Sequence, residues 1–371
     1  MAKLSRQRSF KSIKTAKAQH WKTFPENATP LTNFFLPKPL PIVPSILRPH
    51  QGCAPLLTSE ILATLHKRSS SSTSGPDMIP FSVWKSIHLS APRLLTNLLG
   101  PGPLLKFGYH PVSMKMANGI VLNKPGKPSY DFPASFRVIV LLLTVSKILE
   151  RVIVFCLSLI ARLLKLVDHN QCRSLHALSS FDAALSLGDI IRTLQRPSLK
   201  ISTPSQDIKR GSNSVNPSIL FSSLKRAEVP HYMVTWIGSF FSQRACHLLF
   251  QGSPKTFSPV QGGIPQGSPI SPLLLVIYVA SLHIDLPKGL SLSYVDDFAL
   301  SAASTSYRIN IRALQRAFGQ IRACDRAREI GFNVPKTELI HWRTPLLRDH
   351  AGAPSPPPIC LDGQIFPPSP V

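Results

Sequence analysis

Acidic residues are the scarcest resource of this chain. Asp and Glu together number 18 against 42 Lys plus Arg, which leaves a formal net charge of +24. Charged residues make up only 16% of the chain, against roughly 25% in ordinary soluble domains, and the shortfall is on the acidic side. Such a chain repels itself unless a polyanion compensates, so nucleic acid is the first partner to consider and an acidic membrane surface the second. Glycine is also scarce, with 19 residues against 36 prolines. Proline interrupts long helices and central strands, which argues against a coiled coil, an all-helical repeat array or a membrane bundle. The six cysteines, at positions 53, 156, 172, 246, 324 and 360, are never closer than sixteen residues, so no CxxC metal or redox pair exists. A reduced chain in the nucleus or cytoplasm, not secreted, is expected. The basic N-terminus lacks the apolar core and cleavage site of a secretory signal. Long uninterrupted apolar runs are missing too. Val138 to Val167 is broken by Lys147, Glu150 and Arg151, and Thr256 to Ile284 by Pro259, Pro265, Pro269 and Pro272, leaving Leu273 to Ile284, which is too short to span a bilayer. Both read as buried core elements. A membrane-surface role is further disfavoured because the basic residues accompany no exposed apolar helix face.

What is present is 43% apolar residue in 371, enough to bury a sizeable core. Residues 1–24 carry seven Lys or Arg and no acid, and read either as a solvated tail or as a nucleic-acid contact. A Pro-rich linker follows to residue 55. Helices are expected over 58–67, 79–107 with a break at Pro101-Gly102-Pro103, 146–166, 175–194, 218–227, 234–242, 273–284 and 309–330, the last ending at Gly331. Strands are expected at 119–122, 136–142, 199–201, 246–250, 290–294, 298–301 and 339–342. The first two flank a basic loop holding Lys124 and Lys127. Mixed helices and hairpins predict an α+β fold.

The acids that remain draw attention to 290–301. Leu290, Leu292 and Tyr294 alternate with Ser291 and Ser293, alternation returns at Phe298, and the turn between holds Asp296 and Asp297. Adjacent carboxylates at a tight turn repel, and a divalent cation relieves that repulsion. Two metals held by Asp side chains activate a hydroxyl nucleophile and stabilise a leaving pyrophosphate. That chemistry requires a carboxylate from another strand, and Asp207 in Gln206-Asp207-Ile208-Lys209 is the natural candidate, although alone it reads as an exposed turn acid.

These residues carry a family resemblance. Tyr294-Val295-Asp296-Asp297 resembles the metal-binding box of reverse transcriptases, and its companions arrive in that family's order. Gly75-Pro76-Asp77 with Ile79-Pro80, Leu122 to Lys127, Ser135-Phe136-Arg137, Leu141-Leu142 and Ser146 to Arg151 resemble the fingers of non-LTR (LINE-type) retrotransposon polymerases. Gly263 to Pro272, then Gly331-Phe332 with Lys336-Thr337-Glu338, resemble later palm motifs. The likeness runs from about residue 58 to 345. It implies right-hand polymerase fingers (56–198) and a palm with an antiparallel sheet and metal site (199–345), after a basic, Pro-rich extension (1–55) and before a Pro-rich tail (346–371), with the thumb missing. By the same resemblance, Asp207, Asp296 and Asp297 would hold two Mg²⁺, with Mn²⁺ as the alternative ion. Arg137, Lys124 and Lys127 would meet the triphosphate, a task suited to charge-assisted bonds, although by themselves the lysines read as a solvated loop. Gln266 and Gly267 would lie beside the nucleotide. Lys336 resembles the lysine that protonates pyrophosphate, and reads equally as a surface lysine. RNA template, DNA primer and dNTPs are the implied partners.

The sequence also departs from the pattern. Where an aromatic residue excludes a ribose 2′-hydroxyl in the family, this chain has Ser212, and Asn213 replaces a second acid, so relaxed discrimination against ribonucleotides is expected. Arg137-Val138-Ile139 replaces the usual Arg-Pro-Ile, and Arg173 stands near a usual Gly. Pro204 sits within the strand leading to Asp207 among Ser202, Thr203 and Gln206, where apolar residues are usual. Ile359 to Phe366 resembles the start of the segment leading to the primer grip. No endonuclease, RNase H or terminal Cys/His knuckle is seen. A truncated, partly degenerate polymerase is expected, and a catalytically inactive remnant retaining nucleic-acid binding is the alternative.

Overall fold

A computed structural model describes residues 58–66, 72–99, 104, 107–167, 171–172, 180–194, 199–209, 211–249, 258–260, 262–284, 286, 289–295, 297–342 and 355–369. The N-terminal extension, the Pro101-Gly102-Pro103 break, Arg173 and Asp296 lie outside these residues.

The first half begins with α1 (Thr58–His66), α2 (Phe81–Ser90) and α3 (Pro92–Leu99). The single helix expected from residue 79 is therefore two. Pro92 cannot donate an N–H, and it drives Ala91 to φ −145°, ψ 68°, out of the helical region. Strands β1 (Met116–Asn123) and β2 (Phe136–Leu142) form the expected antiparallel hairpin, opened by the pair Asn123↔Phe136. Helix α4 (Thr144–Leu163) follows, burying Ile148, Leu149, Val152, Ile153 and Leu157 along one stripe. The Gly75-Pro76-Asp77 turn seats against the β2–α4 junction. A Cβ on Gly75 would stand 2.6 Å from the Leu143 nitrogen, so only glycine fits. Thr144 Oγ1 clamps the same corner, donating to the Ile79 carbonyl (2.7 Å) and accepting from Trp84 Nε1 (2.8 Å).

After β3 (Gln171–Cys172) and α5 (Ser180–Leu194) comes β4 (Lys200–Lys209). Then follow α6 (Pro217–Arg226), α7 (His231–Phe241), β5 (Arg244–Leu249), β6 (Ser258–Val260) and α8 (Ser271–Val279). The last elements are β7 (Gly289–Tyr294), β8 (Asp297–Ser304), α9 (Tyr307–Arg328), β9 (Gly331–Phe332), β10 (Glu338–Trp342), β11 (Ile359–Leu361) and β12 (Gln364–Phe366). One sheet has the order β2-β1-β5-β6; the larger has β10-β4-β8-β7-β3, with β9 also on β4. Within the larger sheet every pairing is antiparallel except β3 with β7. The α+β expectation holds.

Strand β4 is central and runs ten residues, although only 199–201 was expected to be extended. Its register with β8 lapses between Ser202↔Ala302 and Ser205↔Ala299, where Pro204 has no N–H to give. Side chains close the gap. Thr203 Oγ1 is 2.9 Å from Ser301 Oγ and accepts from Trp342 Nε1 at 2.9 Å. Ser202 Oγ donates to His341 Nδ1 (2.8 Å), because His341 Nε2 donates to the Pro357 carbonyl (2.9 Å). Ser202 and Thr203, out of place by local rules, are thus satisfied, whereas Gln206 donates Nε2 to Thr337 Oγ1 at 3.0 Å and keeps Oε1 buried with no partner among the described residues.

Alternation assigns the two faces of this sheet. Phe298, Leu300 and Ala302 of β8 join the main core, where α9 contributes Ile311, Leu314, Phe318 and Ile321. The opposite face carries Asp297, Ala299 and Ser301, and its far end, at Ile201 and Ala303, is covered by Leu187 and Ile191 of α5. The β11–β12 hairpin packs on α9 through Gln315 Nε2, which donates to the Cys360 carbonyl (3.1 Å), and an Arg322–Asp362 ion pair. Among the described residues no helix is long and apolar enough to cross a membrane.

Candidate active site

Asp207 on β4 and Asp297 on β8 are direct partners in the antiparallel register. Facing residues of such a pair hold their Cβ atoms about 5 Å apart on the same face. Both carboxylates border an open cleft of about 640 Å³, also lined by Ser205, Lys336, Glu338 and Leu187. Tyr294 also pairs with Asp297, so the β7–β8 turn is two residues long. Val295 at its start has φ +62°, a left-handed conformation that strains a β-branched residue. Asp296, the other turn residue, lies outside the described residues.

The segment after β9 turns back over Asp207. Lys336 Nζ lies 2.6 Å from Asp207 Oδ2. Asn333 Nδ2 donates to the same oxygen at 3.4 Å, and the Asn333 amide to the Asp207 carbonyl at 2.8 Å. The β1–β2 loop reaches the same place. Partial burial first, then the neighbouring charges of Lys127, Arg137 and Lys336, hold the Lys124 ammonium below its ordinary pKa, while Asp207 pulls the other way. The loop is braced by the Tyr130 hydroxyl donating to the Lys124 carbonyl (2.8 Å) and by Ser135 Oγ donating to the Ser129 carbonyl (2.7 Å). Lys124 and Lys336, from two separate loops, therefore meet around Asp207.

Ser212, Gln266 and Gly267 form a second group. Gln266 Nε2 donates to Ser212 Oγ at 3.2 Å, and the Gln266 carbonyl accepts from the Val140 amide at 2.7 Å. Gly267 has φ +124°, and a Cβ there would stand 2.4 Å from the Val140 carbonyl oxygen. The loop is thus pinned on β2, three residues beyond Arg137.

A buried cluster behind that loop escaped the sequence reading. Glu150 of α4 is fully buried and accepts from Ser146 Oγ (2.9 Å) and from Ser268 Oγ. Burial raises its pKa, and contacts with Ser268, Arg244 and Ser146 oppose the rise. The motif Ser146 to Arg151 carried the signal, but no role followed from it. His110 sits edge-on to Trp236 and Phe240, with ring centroids at 5.1 and 5.6 Å, and its Nε2 is 3.3 Å from Ser146 Oγ. Burial, aided by Lys115 and Arg244, holds His110 down to about 3. The unfolded chain takes up that proton near the ordinary value of 6.5, whereas the native one does not until about 3. Stability is therefore full above that ordinary value and falls as pH drops through the window, at about 1.4 kcal/mol per unit. Urea melts at pH 7 and pH 5 should differ by about 2 kcal/mol from this residue, and the difference should shrink by that amount in His110→Gln. An unchanged pH dependence in the variant would refute the assignment.

Among the described residues no three His, Cys, Asp or Glu side chains form a metal cluster, Asp296 being outside them. The pair that is described nevertheless fits a hard divalent cation. Two carboxylates face one another in register, and one already holds an ammonium at 2.6 Å, the place a cation would take.

Residues 122–351 match the family model for reverse transcriptase (RNA-dependent DNA polymerase). The chain is 25% identical over 291 residues to a probable RNA-directed DNA polymerase from transposon BS of Drosophila melanogaster, covering 76% of this chain and 32% of that protein. It is 24% identical over 229 residues to the RNA-directed DNA polymerase from mobile element jockey of the same organism, covering 57% and 24%. It thus spans a third or less of the length of these relatives. Among solved structures, apo telomerase from Candida tropicalis aligns with TM-score 0.43 at 14% identity, covering 78% of this chain and 59% of that one. Telomerase from Candida albicans, in complex with a fragment of telomeric RNA, aligns with TM-score 0.45 at 14% identity, covering 78% and 49%. The chain belongs to the reverse transcriptase (RNA-dependent DNA polymerase) family.

Proposed function

We propose that this chain is the polymerase domain of a non-LTR retrotransposon reverse transcriptase, extending a DNA primer on an RNA template with dNTPs. The single observation that carries the reading is the register-opposed pair Asp207 and Asp297 at the edge of an open cleft, under a loop of cations. Asp207 and Asp297, with Asp296, would hold two Mg²⁺, or Mn²⁺ in their place. Such ions would supply a lowered pKa at the primer 3′-hydroxyl and positive charge for the departing pyrophosphate. The protein's own groups do the rest. Lys124, Lys127 and Arg137 bind and orient the triphosphate through charge-assisted bonds. Lys336, resting on Asp207 at 2.6 Å, is placed to hand a proton to the pyrophosphate oxygen once Asp207 is engaged elsewhere. Gln266 and Gly267 border the nucleotide, and the loop's anchorage to Val140 fixes their position relative to Arg137. Ser212, small and bonded to Gln266, leaves room beneath the sugar.

A second reading, an inactive remnant that still binds nucleic acid, is favoured by Asn213, which stands where the family carries another acid. Pro204 no longer favours it, since side chains repair the lapse it causes.

Primer extension on an RNA template with Mg²⁺ tests the proposal, with dNTPs and rNTPs in parallel. Extension is expected for this chain and absent from Asp296→Ala, with rNTPs accepted far more readily than by Ser212→Phe. Equal extension by the wild type and Asp296→Ala removes the catalytic assignment. No extension by either, with RNA binding retained, supports the remnant.

A further inference from the structure

Helix α9 carries Arg308, Arg312 and Arg316 at four-residue spacing, so they lie one above another, about 6 Å apart along the axis. All three are exposed. The helix buries the opposite side, where Ile311, Leu314, Phe318 and Ile321 pack on the sheet and Asn310 Nδ2 donates to the Lys200 carbonyl at 2.7 Å. That sheet face is the one bearing Phe298, Leu300 and Ala302, whereas Asp207 and Asp297 border the cleft on the other. The arginines thus point away from the proposed active site, across the full thickness of the palm.

Among the described residues nothing pairs with the stripe. Residues 307–324 contain no acid. Among the described residues the ion pairs join Arg322 to Asp362 and Lys336 to Asp207, and none reaches these three arginines. Like charges four residues apart destabilise a helix. Arg308 also stands in the first turn, at the positive end of the helix dipole, where a cation is unfavourable. Lys200 adds a further charge at that end, its ammonium 5.1 Å from the centre of the Tyr307 ring. A polyanion laid along the helix turns each of these costs into an attraction, and arginine forks match phosphate oxygens.

We propose that the outer face of α9 is a second nucleic-acid surface, which grips the phosphates of a single strand outside the catalytic cleft. The inference does not depend on polymerase activity. Phosphates of RNA and of DNA share the recognised chemistry, and the test separates them.

The full chain and the triple variant Arg308→Gln/Arg312→Gln/Arg316→Gln are titrated against a 20-nucleotide oligoadenylate RNA, its DNA counterpart and polyglutamate, across a salt series. A charge-matched control, Arg93→Gln/Lys225→Gln/Arg226→Gln, removes three exposed cations from other helices. The triple variant should lose roughly tenfold or more in affinity for the RNA, and its slope of log K against log salt should flatten by about 2, since each single-strand phosphate contact contributes about 0.7. The control should retain wild-type affinity and slope. An equal loss for the DNA strand identifies the phosphates as what is recognised, and a loss confined to RNA adds a 2′-hydroxyl contact. Unchanged binding by the triple variant, an equal effect in the control, or an equal loss toward polyglutamate each overturns the proposal. Thermal melts of both variants within a few degrees of wild type establish that the fold is intact.

Discussion

Replacing Asp207 by asparagine is expected to reduce RNA-templated extension by roughly a thousandfold, the equivalent of several kcal/mol of transition-state stabilisation, while the fold stays intact. The loss follows from position. Asp207 is the only described carboxylate directly opposite Asp297, and it also holds Lys336. Asparagine keeps the shape and the β4 backbone contacts but removes the anionic oxygen. Both proposed roles then fail together: the affinity for a divalent ion falls, and Lys336 loses the group that orients it. Stability should change little. The side chains of Lys336 and Asp207 are 59% and 26% exposed, and ion pairs in such settings contribute at most about 1 kcal/mol. Calorimetric titration of Mn²⁺ provides a readout independent of turnover and should show weakened binding in Asp207→Asn. Wild-type Mn²⁺ affinity and wild-type extension in that variant would remove Asp207 from the site.

Much of this arrangement was legible before any coordinates. Strand β2 was expected over Phe136 to Leu142 and occupies those residues, because an apolar β-branched run bounded by a Pro/Gly loop has few other options. The β7–β8 hairpin with its acidic tip was equally plain from alternation. Its serines were less so. Ser291 and Ser293 look like a solvent face, yet both are buried, bonded to His283 at 3.0 and 2.6 Å. A residue after α8 supplies those partners, and local periodicity cannot reveal a partner brought by tertiary structure. The same reason explains β4. Pro204 argues against a central strand by every local rule, but Ser301, Trp342 and His341 arrive from 98 to 139 residues away to complete it. The split between α2 and α3 was legible from Pro92 and was missed. The β11–β12 hairpin was hidden by the prolines around it, although Ile359 is fully buried.

Substituting Glu150 by alanine is expected to destabilise the chain by about 3–5 kcal/mol, the range for stripping the partner from a buried charge. Glu150 and Arg244 lie together in the interior, the guanidinium 4.7 Å from the Phe240 ring centre. Among the described residues Arg244 Nε and Nη1 have no hydrogen-bond partner, and the field of Glu150 is the largest influence opposing their burial. Alanine removes that field, takes the acceptor from Ser268 Oγ and leaves Ser146 Oγ with only the His110 ring nitrogen. Glutamine keeps an acceptor for one hydroxyl and offers the other an amide N–H to accept, so Glu150→Gln should cost less than Glu150→Ala. Pairing Glu150→Gln with Arg244→Met should recover part of the loss, because the pair fails as a unit, and a coupling of about 1–3 kcal/mol is expected in the double-mutant cycle. The effect should also reach the site. Ser268 directly follows Gly267, whose backbone has room only against the Val140 carbonyl, so releasing Ser268 loosens the loop that borders the nucleotide. The KM for dNTP should rise more in Glu150→Ala than in Glu150→Gln, while primer–template affinity holds. Urea melts of Glu150→Ala, Glu150→Gln, Arg244→Met and the double variant decide the energetic part: a Glu150→Ala chain within 1 kcal/mol of wild type would show that Arg244 draws its compensation from elsewhere.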